Sequence, residues 1–93
     1  MRKIYTTTYH PEGYQGLHWF EIRGNEIYTT FSHPNGCQPL PWFVIKGHEI
    51  YSTVHIPDGY YGLPWFIIGE NKIFTTFSHP NGYQSLPWYE IRD

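Results

Sequence analysis

The chain has little of what most functional signatures require. It contains a single cysteine, Cys37, which excludes an intramolecular disulfide framework. Charged residues amount to only 15% and the formal net charge is −2, so there is no electrostatic footprint for nucleic acid or an anionic membrane. No apolar run approaches a membrane span, and the opening MRKIYTTT has no signal-peptide core. The expectation from these features is a cytoplasmic protein with no nucleic-acid or membrane partner. Catalytic patterns are missing as well. There is no Gly-x-Ser-x-Gly elbow, no phosphate-cradling glycine loop before a helix, and no zinc-ligand spacing. Glu21 and Glu90 could be imagined as a glycosidase pair, but equivalent positions of a repeat are rarely differentiated into acid and nucleophile. The sequence therefore reads as a non-enzyme with no cofactor and no metal.

What is present is one pattern written four times. After Met1 the chain divides into units 2–24, 25–47, 48–70 and 71–93, with no insertion between them. Each runs Ile, Tyr or Phe, Thr or Ser, Thr, then Pro-x-Gly, then Leu-x-Trp-aromatic-x-Ile. A fixed period of this length marks a repeat architecture. Ninety-three residues make one small domain, 1–93, which must gain unusual burial per residue. Aromatics at 20% supply it.

The units are rich in Thr, Tyr, Ile, Trp and Phe with Pro and Gly punctuation, which predicts strands. Two such runs flank Gly24-Asn25, a two-residue loop suited to a tight hairpin; Gly47-His48 repeats it and Glu70-Asn71 does so less cleanly. Pairing across these turns sets Arg23 opposite Glu26, Ile22 opposite Ile27, Glu21 opposite Tyr28 and Lys46 opposite Glu49. Alternation then assigns Phe20, Ile22, Ile27, Thr29 and their equivalents to the core face. The other face receives Trp19, Trp42, Trp65 and Trp88 with Tyr5, Tyr28, Tyr51 and Phe74. The middle units make it apolar with Val44 and Ile67, where the outer units carry Glu21 and Glu90. Pro-x-Gly reads as a reverse turn, and the following Leu17, Leu40, Leu63 and Leu86 are expected to tuck the loop onto the core.

Strands Lys3–Thr7 and Trp88–Arg92 are left as each other's only partners. Pairing them closes a ring and removes both edges. The predicted fold is thus all-β: four tandem β-hairpins closed with pseudo-fourfold symmetry into an eight-stranded up-and-down barrel or a minimal propeller-like ring. An open hairpin solenoid is the alternative. Closure sets Lys3 against Arg92, and the Asp93 carboxylate is a candidate to compensate.

Aromatic rings are the strongest functional candidates. Trp19, Trp42, Trp65 and Trp88, with loop residues Tyr14, Tyr60 and Tyr83, could stack on a pyranose face or cage a quaternary ammonium. Asn35, Asn81, Gln38 and Gln84 supply neutral donors and acceptors for hydroxyls. Core packing of the tryptophans is the competing reading. His10, His33 and His79 precede the turn proline in three units, with Ile56 in the other. They could converge on a metal, but a turn-capping role repeated by duplication accounts for them without one. In outline the unit resembles the aromatic hairpin repeats of bacterial choline-binding and glucan-binding cell-wall modules, which also set Trp and Tyr-Tyr pairs on short hairpins with Gly turns. Their Gly-Trp opening and Trp-Tyr-Tyr core are not reproduced, so no residue roles are carried over. The functional expectation is a non-enzymatic, lectin-like module binding carbohydrate or a small polar ligand. The alternative is a structural or interaction module forming a homo-oligomer through its aromatic face.

Overall fold

The computed structural model describes residues 2–57 and 62–92. In it the β-prone run on each side of a turn becomes a strand. These are β1 (Arg2–Thr6), β2 (Phe20–Arg23), β3 (Glu26–Thr29), β4 (Phe43–Lys46), β5 (Glu49–Ser52), β6 (Pro64–Gly69), β7 (Lys72–Thr75) and β8 (Tyr89–Arg92). All neighbouring pairs are antiparallel, and β1 to β8 close in chain order into a barrel. The hairpin registers are those of the sequence: Arg23 faces Glu26, Ile22 faces Ile27, Glu21 faces Tyr28 and Lys46 faces Glu49. The open solenoid is excluded by the β1–β8 ladder, which pairs Lys3 with Arg92 and Ile4 with Ile91.

The turns differ in backbone chemistry. Gly24 and Gly47 take φ of 60° and 64° at the first turn position, as a type II′ turn requires. At the third hairpin Glu70 and Asn71 both have positive φ, 50° and 68°, which is the type I′ pattern. Asn tolerates that region, whereas Glu carries its Cβ against the backbone there.

The core follows from period-two alternation. Phe20, Phe43, Phe66 and Tyr89 point inward and meet edge to face around the axis, with ring centroids 6.0, 5.7, 5.8 and 5.8 Å apart. Ile4, Ile27, Ile50 and Ile73 complete the lining of a residual void of about 20 Å³. This lining is wholly apolar, so the void stays dry and the interior is a packed core without room for a ligand.

At the loop end, consecutive hydroxyl residues anchor the long connections. Thr6, Thr29 and Thr75 are almost fully buried, and each Oγ1 accepts the backbone N–H of Gln15, Gln38 or Gln84, at 2.9, 2.8 and 2.7 Å. The next residue works in both directions. Thr7, Thr30, Thr53 and Thr76 donate Oγ1–H to the carbonyls of Pro87, His18, Pro41 and Pro64, at 2.5 to 2.6 Å. The same oxygens accept the N–H of Tyr9, Ser32, His55 and Ser78. The four leucines are not used for this purpose. Leu17, Leu40, Leu63 and Leu86 are 64, 51, 60 and 49% exposed, which corrects the expectation that they hold the loops down. Hydrogen bonds to threonine fix the loops instead.

Two outcomes check this account. Thr30→Val keeps the shape but strands the His18 carbonyl and the Ser32 N–H, and is expected to cost about 1–3 kcal/mol in denaturant unfolding. Glu70→Asn should raise stability by up to about 1 kcal/mol through relief of the left-handed strain, with an unchanged m-value.

Candidate functional site

His-Pro-x-Gly forms a reverse turn in three units. The N–H of Gly13, Gly36 and Gly82 bonds the carbonyl of His10, His33 and His79, each at 2.8 Å. Each histidine side chain closes the same turn from the other side. Nδ1 of His10, His33 and His79 accepts the N–H of Glu12, Asn35 and Asn81 at 3.0 Å. A ring nitrogen that accepts is unprotonated, so the proton sits on Nε2. In His10 that Nε2–H donates to the Tyr89 hydroxyl, 3.1 Å away. The turn-capping role is therefore the one these histidines perform. Among the described residues no group of three His, Cys, Asp or Glu could hold a metal ion.

The capped imidazoles lie between tryptophans. His10 stands 5.3 Å from Trp88 and 5.2 Å from Trp19; His33 stands 5.2 Å from Trp19 and 5.0 Å from Trp42; His79 stands 5.4 Å from Trp65 and 5.1 Å from Trp88. Each imidazole also meets an inner ring, His33 on Phe20, His79 on Phe66 and His10 on Tyr89. Ile56, which replaces the histidine in the third unit, is buried in the same core cluster. The belt closes the loop end of the barrel.

This belt corrects the reading of Trp19, Trp42, Trp65 and Trp88 as exposed stacking platforms. They are only 5 to 7% exposed and belong to the core. Trp19, Trp42 and Trp88 lie one residue ahead of β2, β4 and β8, where strand alternation does not yet apply, and the returning loops cover them. The other sequence candidates divide. Tyr14 and Tyr83 are half exposed, Asn35, Asn81 and Gln84 are exposed, and Gln38 is partly covered. Tyr60 lies outside the described residues. Of the whole set, the structure brings Gln84 and Trp88 into one groove of about 140 Å³, completed by Tyr9, Ser85 and Leu86.

Sequence reasoning missed Phe31 and Phe77, which are 90 and 86% exposed, and Val54, 72% exposed at the equivalent position. Their signal was available: an apolar residue directly after the second threonine lies beyond the strand, where nothing covers it. Phe31 borders a second groove of about 360 Å³, formed with His18, Glu21 and Arg23 of the barrel wall and Ser32 and Cys37 of the loop. Arg23 donates to Glu21 at 3.0 Å, and its guanidinium lies 4.6 Å from the Tyr28 ring centre.

No known protein family, curated protein or solved structure matches the chain.

Burial lowers the pKa of His10, His33 and His79 below the usual imidazole value, while the Glu12 carboxylate opposes this at His10 and His33. The unfolded chain therefore takes up protons first. Stability is fully present above about pH 6.5 and is lost as the pH falls toward the folded-state values. The melting temperature is expected to fall between pH 7.5 and 5. His79→Ile, which copies Ile56, should flatten that slope; an unchanged slope would remove His79 from the account.

Proposed function

We propose that the chain is a non-enzymatic binding module that engages a carbohydrate or similarly hydroxyl-rich ligand at the loop end of its barrel. The observation that carries this reading is the groove between the first and fourth loops. There the Tyr9 ring and Leu86 offer apolar contact beside the Gln84 amide and the Ser85 hydroxyl. An aromatic face next to neutral donors and acceptors suits a pyranose, which has an apolar face and hydroxyl edges. The filled interior supports an external site, and the threonine anchors hold the loops in place before a ligand arrives. Asn81 of the same fourth loop and Asn35 of the second would extend the contact to a longer saccharide.

A second reading rests on a different observation. Phe31, Phe77, Val54 and the four leucines leave the loop end unusually apolar for an isolated surface. This favours a module that self-associates through that end, with the repeated units giving the contact pseudo-fourfold symmetry.

Calorimetric titration with a panel of mono- and oligosaccharides separates the two. Saturable binding by one sugar class, weakened about 3–10-fold by Tyr9→Ala, is the expected result. No heat from any sugar, together with an elution volume that falls with rising protein concentration, would discard the carbohydrate reading in favour of assembly.

A further inference from the structure

The position four residues after the turn histidine is Tyr14 in the first unit and Tyr83 in the fourth, and the second unit has Cys37 there. Its equivalent in the third unit, Tyr60, lies outside the described residues. In the two described tyrosines the ring or hydroxyl is engaged with its surroundings. Tyr83 stacks on Phe77 with centroids 5.0 Å apart and planes inclined by 28°. The charged form of Arg92 is favoured first by its hydrogen bond to Glu90 and further by the Tyr14 hydroxyl. Each ring makes one of these contacts, since Gly69 stands at the arginine position next to Tyr83 and Thr8 at the phenyl position next to Tyr14. The full seat combines a loop phenyl with an Arg-Glu pair on the wall.

In the second unit every part of that seat remains except the ring. Phe31 replaces Phe77, and Arg23 with Glu21 replaces Arg92 with Glu90. Beside the Cys37 thiol, Phe31 borders the groove of about 360 Å³, with no tyrosine ring of its own loop stacked on it as Tyr83 is on Phe77. That volume is within the range of small-molecule sites. The Arg23–Glu21 bond holds both polar groups in position, and a carboxylate has acceptor sites beyond the one Arg23 occupies.

We propose that this groove binds a phenol, the aromatic ring stacking on Phe31 and the hydroxyl meeting Glu21 and Arg23. The phenol is supplied by a small molecule or by a tyrosine side chain of a peptide. Cys37 acts here by its small size, which leaves the seat open, and not by thiol chemistry. This inference does not depend on the carbohydrate reading, which concerns a different groove.

The test is an amide NMR titration of the intact protein with p-cresol, with toluene and methyl glucoside as controls. Saturable shifts centred on Glu21, Arg23 and Phe31 are expected, with toluene at least about fivefold weaker because it lacks the hydroxyl. Cys37→Tyr, which restores the residue of the other loops, should abolish the shifts; Cys37→Ser, which keeps the seat open, should preserve them. Bound p-cresol should also slow alkylation of Cys37 by iodoacetamide. N-acetyltyrosinamide distinguishes the sources: binding on a par with p-cresol admits a peptide tyrosine, whereas exclusion of it leaves a free phenol. No saturation by p-cresol, shifts that persist in Cys37→Tyr, or shifts centred on other loops would overturn the proposal. Saturation of the same amides by methyl glucoside alone would also overturn it, while leaving carbohydrate binding intact.

Discussion

Closing the sheet brings Lys3 and Arg92 face to face, two cations at the seam on which the whole enclosure depends. Without this ladder β1 and β8 would each present unpaired backbone groups, and the inward side chains would have one wall fewer to pack against. The repulsion is absorbed locally. Arg92 is paired with Glu90 on its own strand and lies 4.5 Å from the Tyr5 ring centre on the facing one. The ordinary hairpins use related means, with Arg23 over Tyr28 and Lys46 over Tyr51. The seam is thereby made chemically similar to the turns, although no peptide bond crosses between its strands.

Closure at this size has a price in space. Eight strands of four to six residues surround a volume that four aromatic rings and the isoleucines fill. The interior is thus committed to stability and leaves no room for a ligand. The long loops are where both grooves lie, and they are held by hydroxyl and imidazole hydrogen bonds to backbone together with the buried tryptophans and Ile56, not by their leucines. That division of labour leaves apolar side chains such as Phe31 and Leu86 free at the surface.

Much of the barrel could be read from the sequence because its signals are local. Gly24-Asn25 and the alternation around it determine which residues face each other, and the absence of any other partner for the terminal strands implies closure. The loop end was harder. Trp19 and Phe20 are adjacent yet both buried, since one lies inside the barrel and the other beneath returning loops. Alternation carried one residue too far assigns Trp19 to an open face. The leucines misled for the opposite reason: a repeated aliphatic residue suggests core, and nothing in its type reveals that the paired threonines already anchor the loop. Nothing in the residue type of Cys37 marks the open groove beside it, which is visible only in the folded chain.

The β1–β8 pairing also bears on where the chain could be cut. Lys3 and Arg92 occupy the relation that Glu26 and Arg23 hold across a two-residue turn. A short linker there would turn the seam into a fourth hairpin, and opening the strained Glu70-Asn71 turn in exchange would yield a circular permutant with the same ladders. Each hairpin and its loop could then serve as first or last, and the order of units along the chain becomes separable from their order around the barrel.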